Sequence, residues 1–137
     1  MKGLSALENE QILREASENY LEAILKLEDE NHHVRSIDVA SDLNVSRPSV
    51  NKALGVLKKA GMVEQQPYGH ISLTPLGRVK AKEVMRRHQV LKGFLINVLG
   101  VDPETADVDA CRMEHVVSEQ TMEGLTNLFD RLTKDEG

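Results

Sequence analysis

Cys111, Glu114 and His115 carry side chains suited to metal chemistry, in the run Asp109-Ala110-Cys111-Arg112-Met113-Glu114-His115-Val116-Val117-Ser118. On a helix their i, i+3 and i+4 offsets fall on one face, because 3.6 residues make a turn. A thiolate, a carboxylate and an imidazole side by side can ligate a divalent transition metal. The same residues also read as a partly buried Cys, an exposed Glu and a satisfied His. A short motif does not choose between these readings by itself. The elements that would position the three groups therefore have to be found in the rest of the chain.

The chain has 137 residues, enough for one domain or for two small halves sharing helices. It has no Trp, and its aromatic residues are Tyr20, Tyr68, Phe94 and Phe129, so the core must be aliphatic. A single Cys excludes an internal disulfide framework and fits a reducing cytoplasm. No apolar run has the length of a membrane span, and the N-terminus lacks a signal-peptide core. The expectation is a soluble, cytoplasmic, helical protein. Its net charge of −5 is segregated. Residues 1–34 carry 3 basic and 8 acidic side chains, residues 35–98 carry 11 and 4, and residues 99–137 carry 3 and 10. A basic middle between acidic flanks is the pattern of a chain whose central unit meets a polyanion.

Apolar residues at helical spacing (Ile12, Leu13, Tyr20, Leu21, Ile24, Leu25, Leu27) predict a first helix over about 11–31. Asn19 and Glu22 share one face of it, and the local pattern alone reads as solvated surface. The stretch from Glu28 to His33 reads as a polar turn, with no role for the pair His32 and His33. A helix-turn-helix follows. Ser36 is the expected N-cap of a short helix through Leu43, with Ile37, Val39, Ala40 and Leu43 inward. Asn44 and Val45 make the turn, and Ser46 caps a second helix through about Ala60. Pro48 is tolerated in its first turn, and Gly61 stands where a positive φ is wanted. The start of this helix presents Arg47, Ser49, Asn51 and Lys52, with Lys58 and Lys59 as further phosphate-directed charge. Short strands at 62–65 and 70–73 flank the turn Pro67-Tyr68-Gly69, which places Tyr68 and His70 at a wing. Thr74-Pro75 opens a long helix, basic in its first half, that carries His88 on an aliphatic segment. Such a lone His ordinarily reads as a core or rim residue. Asp102-Pro103 starts the helix of the Cys111 motif, and Ser118 caps a last helix to about Leu132. The apolar face of that last helix has little chain left to cover it, which points to a partner subunit.

These elements, with Asp109–Ser118, Met85-Arg86-Arg87-His88-Gln89-Val90-Leu91 and Ser46-Arg47-Pro48-Ser49-Val50, make the sequence from about Ser17 to Leu132 resemble the diphtheria toxin repressor and manganese transport regulator family of metal-dependent repressors. The resemblance implies a mainly α fold, with a winged helix-turn-helix DNA-binding domain at residues 1–74. A linker helix and a helical metal-binding and dimerisation domain would occupy 75–137. It implies metal ligands Glu114, His115, Cys111 and His88, joined by Glu22 and by Asn19. The DNA-directed residues it implies are Ser36, Ser46, Arg47, Pro48, Ser49, Asn51, Lys52 and Tyr68. One Mn²⁺ or Fe²⁺ per subunit is expected, with double-stranded palindromic operator DNA and a second copy of the chain as partners. No membrane and no further protein partner is inferred.

The chain also departs from the family pattern. Glu22 matches the manganese branch, Cys111 matches the iron branch, and Asn19 matches neither. Lys92 stands one turn after His88 where the family often has an acid of an ancillary site, and Asp107 stands where the iron branch has a His. One metal site is therefore expected and not two. Ending at Gly137, the chain is expected to be the short form, without the C-terminal SH3-like domain. Because ligands must be deprotonated, activation should weaken as pH falls. An alternative is a winged-helix regulator answering to redox state, through Cys111, or to a small molecule. A metal-dependent hydrolase is disfavoured, since no second acid, nucleophile or Gly-rich phosphate loop accompanies the cluster.

Overall fold

A computed structural model describes residues 2–31 and 33–135, with side chains for 14–30 and 33–134. His32, half of the expected pair, lies outside the described residues, as do the side chains of Ile12 and Leu13. The elements in order are α1 (Lys2–Asn31), α2 (Ser36–Leu43), α3 (Arg47–Lys59), β1 (Val63–Gln65), β2 (Ile71–Leu73), α4 (Pro75–Asn97), α5 (Pro103–Met113) and α6 (Glu119–Asp135). They form two compact units, Met1–Lys82 and Glu83–Gly137. The fold is mainly α, as the aliphatic periodicity requires.

In the first unit, Leu21, Ile24 and Leu25 of α1 are buried, as are Val50, Leu54 and Leu57 of α3. The i, i+4, i+7 spacing of the α3 residues aligns them on one ridge. Ser46 caps α3 by accepting the Ser49 N–H at 3.2 Å. Asn44 takes the left-handed conformation (φ 54°) in the turn before it. After α3, Gly61 (φ 73°) reverses the chain while Met62 N–H reaches back to the Leu57 carbonyl at 2.9 Å. This is the C-terminal arrangement that favours glycine.

Three details differ from the sequence reading. Arg35, not Ser36, is the N-cap of α2, because the Asp38 carboxylate reaches back to accept the Arg35 N–H at 2.9 Å. Ile37 is 55% exposed and not inward. It sits about 200° around the helix from fully buried Val39. Glu28 belongs to α1 and not to a turn. Its Oε1 accepts the Leu73 N–H at 2.9 Å, and its Oε2 pairs with Arg78 at 2.6 Å.

β1 and β2 pair antiparallel, Gln65 opposite Ile71, and Ile71 also donates to the Val34 carbonyl at 2.8 Å. α4 starts hard against this wing. Thr74 Oγ1 accepts the Gly77 N–H at 3.0 Å and donates to the Gly61 carbonyl at 2.6 Å.

In the second unit, Val90, Leu91 and Leu95 of α4 form one core with Ala106 and Ala110 of α5 and Met122 of α6. Asp102 caps α5 by accepting the Thr105 N–H at 3.0 Å, and Ser118 precedes α6, accepting the Thr121 N–H at 3.2 Å. Both caps stand where the sequence places them. Met122 is buried, while Leu125 and Phe129 of α6 are only partly covered and Leu132 is 39% exposed.

Candidate metal centre and nucleic-acid interface

α5 ends at Met113, yet Glu114 keeps helical backbone angles and its N–H reaches the Ala110 carbonyl at 2.9 Å. That extra residue of helix keeps Glu114 one turn above Cys111. The ligating atoms of Cys111, Glu114 and His115 consequently lie within 4.8 Å of one another. Glu114 is fully buried and His115 nearly so, whereas Cys111 is exposed. The bland reading of an exposed Glu therefore does not hold.

Among the described residues, Glu114 is hydrogen-bonded through one carboxylate oxygen only. Its Oε2 lies 2.9 Å from His88 Nδ1, and the other His88 nitrogen, Nε2, lies 2.9 Å from Asp107 Oδ1. Glu114 Oε1 takes no hydrogen bond, although His115 Nε2 stands 3.3 Å away. A buried carboxylate oxygen without a donor is costly, and a cation is what removes the cost. Sulfur, carboxylate and imidazole donors around that oxygen fit a divalent transition ion. Asp107 orients His88 from behind in the manner of carboxylates that steady metal-binding imidazoles. The Asp107 carboxyl is held below its usual range by the His88 hydrogen bond and then by Lys92, whose ammonium is 3.2 Å away. Lys92 thus already supplies a cation to Asp107. Asn19 and Glu22, the remaining expected ligands, lie half-buried on α1 in the first unit.

In the first unit, Ser46, Arg47, Pro48, Ser49, Asn51 and Lys52 are all exposed at the start of α3. Tyr68, 87% exposed, caps the wing. A concave surface of about 420 Å³ is bounded by Arg35 and Ser36 of the α2 start, Arg47 and Asn51 of α3, and Gln65 and Tyr68 of the wing. Half-buried Ser36 turns its hydroxyl to Asn51 Oδ1 at 3.5 Å, and the Ser46 and Ser49 hydroxyls meet at 2.8 Å. Arg35 and Gln65 were not legible as members of this surface, since nothing in their spacing ties them to α3. Lys58, expected to supply phosphate charge, is exposed and donates to Gln65 Oε1 at 2.5 Å. His70 stacks on His33 with ring centroids 4.7 Å apart, so it is a packed wing residue and not a bare one. Among the described residues no helix is long and apolar enough to cross a membrane.

Residues 12–71 match the family model of the iron-dependent repressor N-terminal DNA-binding domain. Residues 74–137 match that of the iron-dependent repressor metal-binding and dimerisation domain. The chain is 43% identical over 110 residues to the transcriptional regulator MntR of Escherichia coli O6:H1, covering 80% of this chain and 70% of that protein. It is 31% identical over 122 residues to the diphtheria toxin repressor of Corynebacterium efficiens, covering 89% and 53%. A manganese-dependent transcriptional repressor solved in complex with manganese superposes with a TM-score of 0.76 at 27% identity, covering 83% of this chain and 52% of that one. The chain thus spans about half the length of that solved structure. With both halves matched and the Escherichia coli relative aligned along most of its length, the chain belongs to the iron-dependent repressor family, which includes the diphtheria toxin repressor.

Proposed function

We propose that this chain is a metal-activated transcriptional repressor that binds palindromic double-stranded operator DNA as a homodimer and controls metal-homeostasis genes. It acts in the cytoplasm and is a regulator, not an enzyme. Residues 1–74 carry the DNA-binding function and residues 75–137 the metal-binding and dimerisation function. The observation that carries the metal reading is the buried Glu114 carboxylate, whose Oε1 lacks a hydrogen-bond donor beside His115 and Cys111.

Cys111, Glu114, His115 and His88 hold one Mn²⁺ or Fe²⁺, and Glu22 and Asn19 join them on the strength of the sequence resemblance alone. When bound, the ion supplies positive charge to a carboxylate and a thiolate that otherwise repel each other. The residues prepare for it in distinct ways. Glu114 presents a charged oxygen that the fold has stripped of water. Asp107 holds the His88 ring through Nε2 at 2.9 Å, which leaves Nδ1 directed at Glu114. Cys111, at the surface, sets the preference among metals, since thiolate favours softer ions than manganese. Arg47, Asn51, Lys52 and Tyr68 meet the duplex, with the hydroxyls of Ser36, Ser46 and Ser49 and the ring of Pro48 shaping that face. A two-fold dimer presents two such faces, and its recognition helices must match major grooves about 34 Å apart. By linkage, operator DNA raises metal affinity by the factor with which metal raises DNA affinity.

The test is fluorescence anisotropy of labelled palindromic promoter DNA with metal-free protein and with Mn²⁺, anaerobic Fe²⁺ or Zn²⁺. Tight binding is expected with Mn²⁺ or Fe²⁺ and not without metal, and His115→Ala should lose the response. Equal binding with and without metal would remove the ion from the mechanism and favour the redox or small-molecule reading.

A further inference from the structure

The inference drawn here rests on reading the first unit as the operator-binding half. Groups on two separate elements face that operator: Arg47, Asn51 and Lys52 on α3, and Tyr68 at the wing turn. For both to engage one duplex, the wing tip must be held at a set distance from α3. Backbone bonds close the turn on itself, with Gln66 N–H to the His70 carbonyl and Gly69 N–H to the Gln66 carbonyl, each 2.8 Å. A side-chain link runs across to α3. Gln65 Oε1 accepts from Lys58 Nζ at 2.5 Å, and Gln65 Nε2 donates to the Gly69 carbonyl at 3.4 Å.

A carboxamide makes both bonds from one side chain, since it holds an acceptor and two donors at one end. Its Lys58 bond is charge-assisted and is the stronger of the two. Gln65 itself is half-buried in β1, opposite Ile71, so its backbone is anchored while its amide spans the gap. We propose that Gln65 is a positioning residue for operator binding: its amide couples Lys58 of α3 to the wing turn, and Lys58 serves the wing and not a phosphate. Tyr68 is then presented by a braced turn, and ordering of the wing is completed before DNA arrives.

The experiment uses the full chain with Mn²⁺ and a labelled duplex selected by the wild-type protein from a random library, titrated at several salt concentrations. Lys58→Met, which loses one hydrogen bond, should weaken binding about fivefold, and Gln65→Ala, which loses two, at least as much, both with the dependence on salt unchanged. The double variant should be no weaker than Gln65→Ala, which already removes the whole link. Arg47→Ala calibrates a true phosphate contact, flattening the log–log salt slope by about 0.9. Gln65→Glu keeps the Lys58 arm and removes the Gly69 arm. It should speed amide hydrogen exchange in the wing turn while leaving the melting curve in place, which separates a local effect from misfolding.

Should Lys58→Met flatten the salt slope as Arg47→Ala does, while Gln65→Ala binds like wild type, Lys58 is a phosphate contact and the proposal is overturned. Unchanged exchange in Gln65→Glu would overturn it as well. If the wild type selects no duplex, with or without Mn²⁺, the operator reading fails and this one with it. A wild type that binds beside an indifferent Gln65→Ala sinks only the present inference.

Discussion

Replacing Gly77 by alanine sets two physical effects of opposite sign against each other. Gly77 lies in the first turn of α4, where a glycine ordinarily weakens a helix by about 1 kcal/mol relative to alanine. Propensity alone therefore expects Gly77→Ala to stabilise the protein. The packing says otherwise. A Cβ at Gly77 would stand 1.9 Å from the Met62 carbonyl oxygen and 2.8 Å from its carbon, both backbone atoms that no rotamer change can move. Opening the first distance even to 3.0 Å requires α4 and the start of the wing to part by about 1.1 Å. The Thr74 N–H bond to the Met62 carbonyl (3.0 Å) and the Thr74 Oγ1 bond to the Gly61 carbonyl (2.6 Å) span that same gap. Stretching both past their useful range costs about 1 kcal/mol each. Overpacking adds about 1–3 kcal/mol, and the helix gain returns about 1, leaving a net loss of about 2–4 kcal/mol. For a unit of this size the melting point falls by roughly 10–30 °C. Thermal denaturation followed by circular dichroism measures it. Gly55→Ala in α3, where an added Cβ meets nothing within 4 Å, is the control and should melt higher. A Gly77→Ala variant that melts at or above wild type would refute the claim that α4 is pressed against Met62.

Three further outcomes are expected. Cys111→Glu replaces a thiolate by a hard oxygen donor, so Mn²⁺ affinity relative to Zn²⁺ should rise about tenfold; an unchanged ratio in competitive metal titrations would remove Cys111 from the ligand set. Arg47→Ala should weaken operator binding and flatten its salt dependence by about 0.9, leaving metal affinity in the absence of DNA unaltered. The Lys26 ammonium is raised above its usual range by its hydrogen bond and ion pair with Asp42, 3.0 Å away, which link α1 to α2. A raised folded-state value means that this contribution is complete below the ordinary lysine pKa of about 10.5 and disappears as pH climbs through the folded value. Asp42→Asn should therefore lower the urea midpoint at neutral pH and not at strongly alkaline pH, and an equal deficit at both would exclude the pairing.

Local rules were enough wherever the partner groups lie within a turn or two of each other. Ser46 as a cap, Asn44 in the turn, Gly61 with positive φ and Asp102 before α5 all follow from local geometry over a few residues, and Cys111, Glu114 and His115 cluster as their spacing suggests although α5 ends at Met113. The same rules misplaced Ser36 and Ile37, because an acid two residues past Ser36 began the helix one position early. The alternative readings of the motif differed in burial, and burial is not a local property. Glu114 is hidden because α4 and α5 share a core, which brings His88 to it across 26 residues and Asp107 to His88 across 19. The Lys58 bond was hidden for the same reason: helical spacing shows that Lys58 is exposed, but only the folded wing shows that Gln65 is beside it. Sequence by itself determined the order of the elements, most of their caps and the chemistry available on each face, since those depend on neighbours along the chain. Tertiary structure alone decided which carboxylate was buried and which side chain stands beside Lys58, since those depend on neighbours in space.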